Sequence, residues 1–135
     1  MAWEDVDLSE VRPDNEVLPE EQEFVFELLK GAKLSKFYPD KIEVAARVAE
    51  GEFKGKISYF SYPSPEEQPW VLGVFKRMEI ALGTPQEKGE HPVDYLNRVA
   101  GSFFISKIKH RVVQAGGDDV TKAEVKIGNV KKYKG

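Results

Sequence analysis

Tyr59, Phe60 and Tyr62 fall within four residues of one another. Lys54 and Lys56 stand just before them, and Arg47 lies across a glycine-bracketed turn. Flat rings interleaved with cations on a sheet suit a single-stranded nucleic acid, because bases stack on the rings and phosphates meet the positive charge. A second set of cations, Lys107, Lys109 and Arg111, recurs at every other residue, so one strand would project all three to the same side. Phe37, Tyr38 and Trp70 are further rings available as platforms. The candidate nucleic-acid contacts are therefore Arg47, Lys54, Lys56, Tyr59, Phe60, Tyr62, Lys107, Lys109 and Arg111. An ordinary hairpin with a solvated basic rim would carry the same residue types. Alternation sends Tyr59 and Phe60 to opposite faces, so one of the two is expected in the core.

Catalytic chemistry has less to work with. Glu66-Glu67 and Asp118-Asp119 are adjacent carboxylates in turn-like stretches, and they read as solvated loop acids. His110 falls on the apolar side of its strand and reads as a packed, hydrogen-bonded histidine. No serine sits in a nucleophile-elbow context, and Gly51 to Gly55 lacks the ending of a phosphate-cradling loop. With no Cys and two His, the chain offers neither a thiolate site nor a histidine-built metal centre. No enzymatic activity, cofactor or metal is expected.

The elements that must position the candidate contacts follow from hydrophobic period. Apolar residues at every second position predict strands over 23–29, 42–49 and 56–62. In the first, Phe24, Phe26 and Leu28 point inward; in the second, Ile42, Val44, Ala46 and Val48 do. Residues 31–39 read as a loop, and Gly51 to Gly55 as the hairpin turn. Three prolines over 63–69 end the sheet. Val71, Val74, Phe75, Met78 and Leu82 form a stripe at helical spacing, so a helix is predicted over 70–82, closed by Gly83. A shorter helix is predicted over 92–100, with Pro92 at its start. One long strand is predicted over 102–113, a turn at 116–119, and a fifth strand over 122–130. Three strands, a helix, a short helix and two strands make a mainly β chain with some α. That is the element order of an OB-fold-like five-stranded barrel.

At 135 residues the chain suits one domain with a real core. No apolar run approaches the ~20 residues of a membrane span, and the acidic N-terminus lacks the basic and apolar regions of a signal peptide. A net charge of −3 conceals a division. Residues 1–23 hold nine acids against Arg12 alone, a charge of −8, while 24–135 hold 14 acids and 19 bases, a charge of +5. Residues 1–21 are therefore read as a flexible acidic arm, in which Trp3, Val6 and Leu8 could still dock, and 22–135 as a single OB-like domain.

Three runs, GEFKGKISYFSYP, PWVLGVFKRMEIALG and HPVDYLNRVAGSFFISKIKHR, resemble small phage-encoded proteins of recombination and replication gene clusters. The matching residues are Gly51, Phe53, Gly55, Ala81, Leu82, Gly83, Asp94 and Gly101, and the similarity spans roughly 22–113. The resemblance implies an OB-like, largely sequence-independent single-stranded DNA-binding role beside a recombinase or replisome protein, in the cytoplasm of a bacterial host. Single-strand binders carry their acidic tail at the C-terminus, whereas here the acids are N-terminal and the C-terminus is basic. The alternative is a protein-interaction module, such as a phage regulator or inhibitor, that acts through the acidic arm.

Overall fold

The computed structural model describes residues 17–38 and 40–134, together with Glu4. The expected docking of Trp3, Val6 and Leu8 lies outside the described residues, as does most of the acidic arm. The chain is mainly β with two helices: β1 (Phe24–Leu28), β2 (Lys33–Leu34), β3 (Ile42–Val48), β4 (Ile57–Tyr62), α1 (Val71–Leu82), α2 (Pro92–Arg98), β5 (Phe103–Ser106), β6 (Ile108–Ala115), β7 (Asp118–Val125) and β8 (Lys131–Lys132).

The first three long strands form where alternation placed them. In β1 and β3 the even-numbered apolar residues are buried. β3 pairs antiparallel with β4 along one edge, Ala45 opposite Tyr59. On its other edge β3 meets β1, then the short β2. β1 continues the sheet to β5, and β5 to β8. The rings of Phe26 and Phe104 stack at 5.4 Å across the β1–β5 pair, and burying each such ring is worth about 1.5–3 kcal/mol.

The long strand expected over 102–113 is bent. It leaves β1 after Ser106 and takes β7 as its new partner from Ile108 onward. Inward alternation carries through the bend, since Phe104, Ser106 and Ile108 are all buried. Lys107 stands between the two segments, and its carbonyl accepts from the Lys126 N–H at 2.9 Å. The last long strand also starts earlier than expected, at Asp118. Gly116 and Gly117 both take positive φ, 63° and 89°. Two such residues make the tight turn that lets Ala115 pair directly with Asp118. That strand ends at Val125, and Ile127–Asn129 form a 3-10 turn before β8.

The ladders do not close into a barrel: the β6–β7 hairpin is a separate two-stranded sheet. It packs against β4, where the buried Ser58 hydroxyl donates to the Ala123 carbonyl at 3.0 Å. α1 lays Val71, Met78, Ala81 and Leu82 on the core. Its last turn closes on Gly83 in the left-handed region, φ 76°, whose N–H reaches back to the Glu79 and Ile80 carbonyls. α2 starts on His91, whose Nδ1 accepts from the Val93 N–H. Arg98 holds both carboxylate oxygens of Glu90, at 2.8 and 2.9 Å, and with the Glu87 N–H, which donates to the same carboxylate, it lowers the Glu90 pKa to about 2. No helix among the described residues is long and apolar enough to cross a membrane.

Candidate nucleic-acid interface

Alternation along β4 decides which rings reach solvent. Ser58, Phe60 and Tyr62 point inward; Ile57 and Tyr59 point out. Tyr59 is 69% exposed, whereas Phe60 and Tyr62 are 5% and 2% exposed. The expectation that Phe60 and Tyr62 present stacking faces is therefore corrected. Their rings meet each other at 5.9 Å, and Tyr62 packs edge-on against Phe75 at 5.2 Å. Burial also pushes the Tyr62 phenol pKa strongly upward.

Tyr59 stands between two hollows on the outer face of the sheet. One, of about 460 Å³, is lined by Lys30, Lys33, Glu43 and Ala45. The other, of about 450 Å³, is lined by Leu18, Lys56, Lys122 and Glu124. A larger groove of about 540 Å³ opens where Ser61 of β4 meets the end of β7. It is lined by Tyr38, Trp70, Lys41, Lys109 and Lys126, with Glu67 and Glu124. Tyr38 and Trp70 are 62% and 54% exposed. The Lys41 ammonium sits 4.8 Å from the centre of the Tyr38 ring, an arrangement that holds ring and charge together. Gln68 accepts from the Trp70 indole N–H at 2.6 Å and orients that ring. Seven lysines against three glutamates line these three spaces, so the surface attracts an anion and offers rings beside it.

The expected cations separate into groups. Lys109 lines the large groove and Lys56 the hollow beside Tyr59. Arg47 is on the outer face, but its guanidinium is ion-paired to Glu27 at 2.6 Å. Arg111 is ion-paired to Glu124, also at 2.6 Å. Lys54 is exposed in the β3–β4 turn and lines none of the three spaces. The row of three cations over Lys107, Lys109 and Arg111 does not form on one strand, because the chain bends at Lys107. Lys30, Lys41, Lys122 and Lys126 line these spaces from outside the set of candidate contacts, and the platforms Tyr38 and Trp70 join them. The loop over 29–41 carried a usable signal: it interleaves lysines with Phe37 and Tyr38 as the β4 region does.

Among the described residues, no group of three or more His, Asp or Glu is placed to hold a metal ion. His110 is engaged by the root of the acidic arm. Its Nε2 lies 2.6 Å from the Leu18 carbonyl oxygen, and its Nδ1 lies 3.4 Å from the Glu20 carboxylate. No protein-family model matches the chain, and no curated protein matches it.

Proposed function

We propose that this chain is a non-enzymatic, largely sequence-independent single-stranded DNA-binding protein with an OB-like arrangement of strands. The observation that carries the reading is the exposed Tyr59 ring between lysine-lined hollows, continuous along β4 with the groove of Tyr38 and Trp70. Bases stack on these three rings, at about 1–3 kcal/mol per base. Lys30, Lys33, Lys41, Lys56, Lys109, Lys122 and Lys126 meet the phosphates.

The strand order supports the OB-like part of the reading. Taken as a ring, β1 neighbours β3, β3 neighbours β4, β4 packs on β7, β7 pairs with β6, and β6 continues β5 back to β1. In such a ring β3 and β4 are the second and third strands, which with the first loop make the ligand surface of an OB-fold. Tyr59 comes from that face, and Tyr38 and Lys41 from that loop. The resemblance to phage recombination and replication proteins extends the proposal to phage DNA in a bacterial host's cytoplasm, beside a recombinase or replisome protein.

The test is a titration of labelled oligothymidine at two salt concentrations. Binding at low salt should weaken as salt rises, with a log–log slope of about −0.7 per phosphate neutralised. Absence of binding at low salt would overturn the reading in favour of a protein-interaction module. Magnesium-dependent cleavage of the strand would overturn its non-enzymatic part.

A further inference from the structure

We infer that the pocket between the end of β4 and the start of α1 binds a compact aromatic amine, its rings against Tyr62, Phe75 and the flanking prolines and its ammonium at Asp40. The site is separate from the strand-binding surface and does not depend on that function. Enclosure is the first argument. The pocket has a volume of about 270 Å³. An apolar cavity of about 150 Å³ takes one benzene ring, so this space suits a fused pair of rings with a short side arm. Its walls are the rings of Tyr62 and Phe75, whose centres are 5.2 Å apart, and the side chains of Pro63, Pro65 and Pro92. Proline loses no side-chain freedom on being covered, so these walls are set before a ligand arrives. Leu72 lines the open side and is 63% exposed.

Charge at the rim is the second argument, and it is independent of the walls. Asp40, Lys76 and Glu79 are the charged residues there. Lys76 is ion-paired to Glu79, whose other carboxylate oxygen accepts from the Gln86 N–H at 2.9 Å. Asp40 is exposed, and its carboxylate has no hydrogen bond or ion pair among the described residues. The ammonium of its neighbour Lys41 lies over the Tyr38 ring instead, in the groove. One unpaired carboxylate at the edge of a ring-lined pocket attracts a cation and repels a phosphate.

Backbone conformation is the third argument. Asp40 has φ 56°, the one positive value outside glycine among the described residues. Aspartate tolerates the left-handed region better than most side chains, and departures of this kind gather at ligand clamps and active sites. Here consecutive residues serve different spaces: Asp40 lines the pocket and Lys41 the groove. Pro63 is a wall of both. Pocket and groove are thus neighbours of opposite charge preference, phosphates meeting Lys41 and an ammonium meeting Asp40.

The experiment titrates the full chain with tryptamine, indole and indole-3-acetate and follows the backbone amide spectrum. Tryptamine should bind with a Kd of about a millimolar or tighter, shifting the amides of Leu72, Phe75, Glu79 and Gln86 together. Indole should move the same amides but bind about two- to fivefold more weakly, the scale of an exposed ion pair, and indole-3-acetate more weakly still. Asp40→Asn keeps a residue that tolerates the left-handed turn and should bring tryptamine down to the affinity of indole. Amide shifts absent from these four residues, or spread over the whole surface, would overturn the site. Indole or indole-3-acetate binding as tightly as tryptamine, or a tryptamine preference that survives in Asp40→Asn, would overturn the ammonium's place at Asp40. Failure of oligothymidine to bind would leave each of these outcomes as it stands.

Discussion

Tyr59 and Tyr62 belong to one strand and have opposite roles. Tyr59 carries its ring on the outer face, so Tyr59→Ala should cost strand binding about 1–3 kcal/mol, roughly 5- to 150-fold in Kd. An oligothymidine titration reads that loss directly, and unfolding should be little changed because the ring is exposed. An unchanged Kd would remove Tyr59 from the interface. Tyr62 is the reverse case: its hydroxyl is buried, with no hydrogen-bond partner among the described residues. A buried polar group left unpaired costs about 1–3 kcal/mol. Tyr62→Phe should therefore raise the thermal midpoint, by up to the equivalent of that cost, and leave DNA affinity as it was. A lowered midpoint would mean that the hydroxyl is satisfied in solution.

The loop over 29–41 matters as an element because it brings Lys30, Lys33, Tyr38 and Lys41 to the surface. It is held from outside itself. The Asn97 side chain on α2 accepts from the N–H groups of Gly31 and Ala32, at 2.8 and 3.0 Å, and donates to the Ala32 carbonyl at 3.0 Å. Asn97→Ala removes all three bonds. It should lower stability by about 1–3 kcal/mol and weaken strand binding, although Asn97 lines none of the three spaces. Urea unfolding checks the first effect and titration the second. A loss of stability with affinity unchanged would show that the loop's lysines and Tyr38 do not contact the strand.

At the scale of the whole molecule, two sheets share one bent strand and meet again at β4 and β7. The second meeting is bridged by the buried Ser58 hydroxyl and the Ala123 carbonyl. Ser58→Ala should cost about 1 kcal/mol. Because it acts where the hairpin joins the body, amide exchange in β6 and β7 should quicken more than exchange in β1 and β3. Uniform quickening across all strands would mean that the two sheets open as one unit.

Sequence by itself determined what depends only on near neighbours along the chain. The inward sets of β1 and β3, the stripe on α1 and its stop at Gly83 were all legible, because a period of two or 3.6 places side chains in or out. The same rule required that Tyr59 and Phe60 part, although it left open which of them faced out. Tertiary structure decided what depends on residues far apart. Arg47 is neutralised by Glu27 from a neighbouring strand, and Arg111 by Glu124 across the hairpin. The bend at Lys107 arises because its strand changes partner, and no local pattern encodes a partner. Tyr38, Trp70, Lys109 and Lys126 come from four separate stretches and line one groove only after the strands have paired.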